Sequence, residues 1–223
     1  IMRIQRIAIA GLALTITAVV MISGCSRTAS TPLDCRISNS AGSVQVLMLG
    51  NSLLHDFNWP LPGAHVFNCA KQGQTLGEFI NRWRKTSLPL EQPDVVVIAF
   101  GTVEVIRAEK ERRHLQDFMV LYPDFLADLQ QRWPGARLVV NLLPDINRDL
   151  YGQPNLDLSA IDQLNQFIRQ STTCSACQVI DVPRLLLQGE DSFGETLTYD
   201  GVHLTEYGYS KWLDGLTRSL ATP

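Results

Sequence analysis

The chain has 223 residues, 45% of them hydrophobic and 18% charged, with a formal net charge of −3. Those proportions are ordinary for a globular protein; they exclude a disordered tail, a collagen-like rod and a multi-span membrane protein. There is no basic block, so no nucleic-acid partner is expected, and a chain of this size can bury its own core, most simply as one domain.

At the N-terminus, Arg3 and Arg6 precede an apolar run from Ile7 to Ile22 broken only by Gly11, Thr15 and Thr17. The layout is that of a signal peptide. An uncleaved membrane helix is the alternative, because Ile7 to Ser26 carries no charge and about 20 residues span a bilayer. Ile22-Ser23-Gly24-Cys25 favours export, since two small residues before a cysteine resemble the bacterial lipobox. That resemblance implies removal of residues 1–24, with a diacylglyceryl group on the Cys25 sulfur and a further acyl chain on its amine. Several chains anchor stably where one does not. Ser26, where inner-membrane retention usually has Asp, points to the outer membrane on its periplasmic side. Residues 25–42 are then the lipidated cysteine and a tether, with Arg27 to Leu33 flexible, and 43–223 are the folded domain.

Within that domain, Ser43–Leu49 is an unbroken β-type run, expected as a central strand buried on both faces. Ala64–Asn68 is a shorter strand. Thr75–Lys85 reads as a helix with Leu76, Phe79, Ile80 and Trp83 on one stripe. Asp94–Phe100 is the most strand-like segment. A long helical region follows from Ala108 to Trp133, with an interruption expected near Pro123. Ala136–Leu142 is another buried strand, Leu143–Asp157 a polar loop, Ser159–Arg169 a helix and Gln178–Val182 a strand. Gln188–Tyr199 is irregular. Thr205–Leu220 closes the chain as a helix that turns Tyr209, Trp212, Leu213, Leu216 and Leu220 inward. Strands alternating with helices define an α/β fold: a three-layer α/β/α sandwich around about five parallel strands. In such sheets the ligand sits beyond the carboxyl ends of the strands.

Four cysteines remain besides Cys25: Cys35, Cys69, Cys174 and Cys177. In an exported protein disulfides persist, and four cysteines allow three pairings. Cys174-Ser-Ala-Cys177 precedes a strand, whereas a redox pair normally opens a helix. There is no second Cys-x-x-Cys to complete a zinc site. A structural loop disulfide is the expectation, which leaves Cys35 and Cys69 for each other.

Candidate chemistry lies at the strand ends. Gly50-Asn51-Ser52-Leu53 follows the first strand; a lone serine there is commonly only a turn residue, and Leu54 breaks the Gly-x-Ser-x-Gly elbow. Asp200-Gly201-Val202-His203-Leu204 precedes the last helix, so Asp200 can fold back to fix the His203 tautomer and support its imidazolium. A serine would then need only to meet the other ring nitrogen. His55, His65 and His114 lack a carboxylate at this spacing; Asp56 adjoins His55, but adjacent side chains rarely point together. Gly73, at the expected start of the Thr75 helix, offers a backbone N–H to an anion.

Together these residues resemble the SGNH (GDSL-like) hydrolase family over about residues 43–220, in the right order. The family's Gly-Asp-Ser-Leu block is Gly50-Asn51-Ser52-Leu53 here. Its glycine after an Asn-rich turn corresponds to Asn68–Gly73, and its Asp-x-x-His-Leu to Asp200–Leu204, with Tyr207-Gly208-Tyr209 as a usual continuation. The resemblance implies a serine esterase in which Ser52 attacks, His203 moves the proton and Asp200 orients His203. The Ser52 and Gly73 amides would form the oxyanion hole. No metal or cofactor is implied. The substrate would be an ester of a small acyl group on a carbohydrate or lipid. Two departures stand out. Asn51 replaces the family's Asp, with little harm expected. Gly101-Thr102-Val103-Glu104 replaces Gly-x-Asn-Asp, so Val103 cannot donate to the oxyanion. Thr102, expected on the opposite face of an extended segment, and Asn147 are the conceivable substitutes. A weakly active glycan-binding lipoprotein and an acyltransferase with the same triad are the rival functions.

Overall fold

The computed structural model describes residues 33–37, 42–86 and 90–221. The expected signal segment, Cys25 and most of the expected tether lie outside the described residues. Among the described residues no helix is long and apolar enough to cross a membrane.

Among the described residues the sheet has six strands: β1 (Arg36–Ile37), β2 (Val44–Gly50), β3 (Ala64–Asn68), β4 (Val95–Ala99), β5 (Arg137–Asn141) and β6 (Cys177–Ile180), in the order β1-β3-β2-β4-β5-β6. The five later strands run parallel, and β1 pairs antiparallel with β3. The sheet is therefore mixed, with one more strand than expected. β1 escapes sequence reading because a pair of residues shows no periodicity.

Among the described residues the helices are α1 (Ser52–His55), α2 (Leu76–Trp83), α3 (Thr102–Ala108), α4 (Arg113–Arg132), α5 (Arg148–Tyr151), α6 (Ser159–Ser171), α7 (Val182–Leu187) and α8 (Glu206–Ala221). Side chains alternate across each strand and so sort the core into two layers. Leu47, Leu49, Val96, Ile98 and Val140 pack with residues of α2, α4 and α6. Val46, Met48, Val95, Val97 and Val139 pack with residues of α1, α7 and α8. β4, the run Val95-Val-Val-Ile-Ala99, is buried throughout, as a central strand covered on both faces must be.

Two expectations about the long helical region change. The break falls between α3 and α4, not at Pro123, which lies inside α4. Pro123 is exposed while Phe118, Tyr122, Phe125, Leu126 and Leu129 are buried. The proline ring thus faces solvent, and burial of the opposite stripe holds the helix together across the missing hydrogen bond. The segment after β4 is also not extended: Thr102 already begins α3, with Gly101 as N-cap at φ 121°. Glycine is needed there for its conformation, since φ 121° is one that other residues rarely adopt.

Two residues from the span expected as a tether belong to the fold. Leu33 is buried in the core, and Cys35 is bonded to Cys69. Cys174 and Cys177 form the second disulfide.

Candidate active site

Along the chain, β2 leads to β3 on one side of the sheet and then to β4 on the other. The strand order thus reverses beside β2, and ligands bind at that switch point. Ser52 stands there as the first residue of α1. Its neighbour Asn51 is the N-cap, and Asn51 Oδ1 accepts the Leu53 N–H at 3.1 Å. This is the service an Asp would perform, which explains why Asn51 can replace it. Gly50 is required by packing, since a Cβ would lie 2.7 Å from the Ala99 carbonyl oxygen. Asn68 donates to the Leu54 carbonyl at 2.7 Å, and Tyr209 on α8 donates to the Leu53 carbonyl at 2.9 Å. The turn bearing Ser52 is thereby tied to both β3 and the closing helix.

The structure brings Ser52, His203 and Asp200 together. Ser52 Oγ lies 3.0 Å from His203 Nε2, and His203 Nδ1 lies 2.6 Å from Asp200 Oδ2. With Nδ1–H donated to the carboxylate, Nε2 is left to accept from the serine hydroxyl. Asp200 Oδ1 accepts the N–H groups of Val202 and His203 at 2.9 and 2.7 Å. Partial burial alone would raise the Asp200 pKa, but the imidazole and backbone hydrogen bonds outweigh it and hold the carboxyl below its ordinary value. Gly201 permits the fold-back at φ 90°; a Cβ there would lie 2.4 Å from the Asn147 carbonyl oxygen. The exposed Tyr199 ring stacks on the His203 imidazole, 5.9 Å between centroids.

Gly73 adopts φ 60° and precedes α2 by a loop; the helix itself starts at Leu76, behind a Thr75–Glu78 capping box. Its amide is therefore presented by a turn, not by the helix terminus. Among the described residues, neither the Gly73 nor the Ser52 N–H donates to a protein acceptor. Val103 is buried in the first turn of α3. Asn147 is committed elsewhere: its side chain caps α5 through the Leu150 N–H at 3.1 Å and donates to the Phe193 carbonyl at 3.0 Å.

Sequence reasoning passed over two residues beside this site. Arg107 donates to the Gly73 carbonyl at 2.8 Å. Glu104 is buried and accepts the Leu76 N–H at 2.6 Å. Burial pushes the Glu104 carboxyl up to about 7, against the pull of the Leu76 N–H and the Arg107 charge. Its Asp counterpart in the family block was a signal for Glu104; Arg107 carried none. The His55–Asp56 pair also corrects an expectation: His55 Nδ1 and Asp56 Oδ1 do meet, at 2.8 Å, with Gln72 donating to the same oxygen at 2.7 Å. Among the described residues no cluster of three or more His, Cys, Asp or Glu is placed to hold a metal ion.

The fold and the serine–histidine–aspartate arrangement are those of an ester-bond hydrolase. The model of the GDSL-like lipase/acylhydrolase family matches residues 48–211, and the chain belongs to that family. Solved structures of similar fold include the acetylxylan esterase Axe2 from Geobacillus stearothermophilus, at 15% identity and a TM-score of 0.63, covering 82% of this chain and 96% of that one. Another is LAE5, an alpha/beta hydrolase enzyme from the metagenome of Lake Arreo, at 15% identity and a TM-score of 0.61, covering 81% and 96%. No curated protein sequence matches the chain.

Proposed function

We propose that this GDSL-type esterase removes a small acyl group from a carbohydrate or lipid ester at the bacterial cell envelope, with Ser52 as nucleophile. The observation that carries the reading is the continuous relay from Ser52 Oγ through His203 to Asp200, at 3.0 and 2.6 Å. In the first half-reaction His203 Nε2 takes the Ser52 proton as Oγ attacks the ester carbonyl. The oxyanion meets the Ser52 and Gly73 amides. His203 then protonates the departing alcohol, leaving an acyl-serine. Water, deprotonated by the same nitrogen, releases the acid and restores Ser52. Asp200 stays ionised throughout and supports the imidazolium. The acetylxylan esterase activity of Axe2 favours an acetyl group on a glycan among the esters the site accepts.

Location rests on sequence. The lipobox-like Ile22–Cys25 supports a lipid anchor on Cys25 and an outer-membrane, periplasm-facing enzyme. A Cys25→Ser variant expressed in a bacterium is expected to lose incorporation of labelled fatty acid; persistent labelling would overturn the anchor.

For the chemistry, a fluorophosphonate probe should label the intact protein and fail on Ser52→Ala. Labelling of a folded Ser52→Ala protein would overturn the nucleophile. Acyl transfer is the second reading, since the same acyl-serine can be taken by a sugar hydroxyl in place of water. Product analysis with and without a sugar acceptor separates acyl-sugar from free acid.

A further inference from the structure

The turn that presents the Gly73 amide is gripped from two sides. Arg82 on α2 donates from Nη2 to the Cys69 carbonyl at 2.9 Å and to Gln74 Oε1 at 2.8 Å. From the other side α3 reaches across with two side chains three positions apart, which share one helix face. Glu104 accepts the Leu76 N–H at 2.6 Å. Arg107 is bidentate, with Nη2 donating to the Gly73 carbonyl at 2.8 Å and Nη1 to Glu78 Oε1 at 2.8 Å. The other Glu78 oxygen accepts the Thr75 N–H at 2.9 Å. One guanidinium therefore joins the turn to the capping box behind it.

Gly73 needs such a grip. At φ 60° it has the backbone freedom of glycine, and nothing lies within 4 Å of where a Cβ would stand. No side-chain packing fixes its orientation, so hydrogen bonds must. Arg107 bonds the carbonyl of the very residue whose N–H would face the oxyanion, and so fixes the peptide plane that follows the Gly73 Cα, to which the plane carrying that N–H is joined. The same helix carries Val103, which supplies no donor. With one donor missing, the placement of those that remain governs the rate, because misplacement by about 1 Å costs on the order of 100-fold.

We propose that Arg107 is a positioning residue for ester hydrolysis: α3 serves the oxyanion by holding the Gly73 peptide in place of contributing a donor of its own. The proposal rests on the reading of Ser52 as nucleophile and Gly73 as oxyanion donor. It implies that Arg107 acts on turnover and not on substrate binding.

The test compares Arg107→Met, which keeps the length and removes the donors, with Arg107→Lys, which can still donate to the Gly73 carbonyl. Turnover of p-nitrophenyl acetate is measured per active serine, counted by complete titration with a fluorophosphonate. The expected result is a kcat per serine reduced about 10-fold or more in Arg107→Met, KM within about twofold, and most of the loss recovered in Arg107→Lys. A loss confined to the number of titratable serines would mean a folding role and overturn the proposal. Unchanged kcat per serine, or a rise in KM alone, would overturn it too. Should Arg107→Met not fold, Arg107→Gln, whose amide cannot span both partners, replaces it with the same expectation. Full activity in Ser52→Ala would instead remove the esterase reading itself, whatever Arg107 does.

Discussion

Ser52, His203 and Asp200 form one hydrogen-bonded unit, and residues that act as a unit lose activity non-additively. Ser52→Ala and His203→Ala should each reduce ester hydrolysis by roughly 1,000-fold or more, and the double variant should be barely worse than either. Multiplicative losses would place His203 in another role. Val103 yields the opposite kind of prediction. It is buried at the start of α3, where an Asn would bring a donor into the family's position. Val103→Asn is expected to raise kcat on a simple ester by up to roughly 100-fold; a flat or lower rate would show that another group already occupies that space. The triad was legible because Asp200 and His203 are close in sequence and the serine motif is fixed by its strand. Arg107 was not, because its bond to Gly73 spans 34 residues and exists only once β4 has brought α3 alongside the turn. The His55–Asp56 contact was misjudged because Gln72, a third residue remote in sequence, holds Asp56 toward the ring.

At the scale of elements, Glu104 links the starts of α2 and α3, and it makes their junction sensitive to pH. Its carboxyl titrates at about 7 in the folded protein, against a reference value of 4.5. Between those values the folded state holds a proton that the unfolded chain has released, so stability from this group is full below the unfolded value and is lost as pH rises through about 7. The raised value corresponds to at most roughly 3 kcal/mol. Asp200 and Glu78, both held below their ordinary values, act in the reverse direction and only at more acidic pH. Thermal melts should therefore show Tm falling from pH 5 to pH 8, and Glu104→Gln should flatten that slope. An unchanged slope would remove Glu104 as its source. The elements themselves were well read wherever burial imposes a pattern: β2, β4 and β5 are apolar runs, and α2 and α6 carry clear stripes. The short helices α1, α5 and α7 were missed because each is set by a cap (Asn51, Asn147, Asp181) and not by periodicity. Pro123 misled because its position relative to solvent, which decides whether a helix tolerates proline, is a tertiary fact.

For the whole molecule, the two disulfides differ in reach. Cys35–Cys69 closes a separation of 34 residues and Cys174–Cys177 one of 3. Loop-closure entropy makes the first worth roughly 4 kcal/mol and the second roughly 2 kcal/mol. Cys35→Ala/Cys69→Ala should accordingly lower Tm by about twice as much as Cys174→Ala/Cys177→Ala. Equal losses would show that strand β1 is held mainly by Leu33 and its sheet pairing. The three-layer architecture followed directly from alternating strands and helices, whereas the antiparallel edge did not. β1 is fixed by its disulfide and by β3, neither of which leaves a mark in two residues of sequence.

Ser52 and His203 are 151 residues apart, and their contact rests on α8 docking through Trp212 and Tyr209 onto β5 and α1. Hydrolysis is therefore a property of the finished chain: a nascent polypeptide that ends before Asp200 carries the serine without His203, and one clipped before its last helix carries both without the helix that docks them together. Such long-range assembly is slow relative to local helix formation. On dilution from denaturant, far-ultraviolet ellipticity should return before esterase activity does, and the interval between the two measures how long the chain stays harmless to nearby esters while its ends find each other.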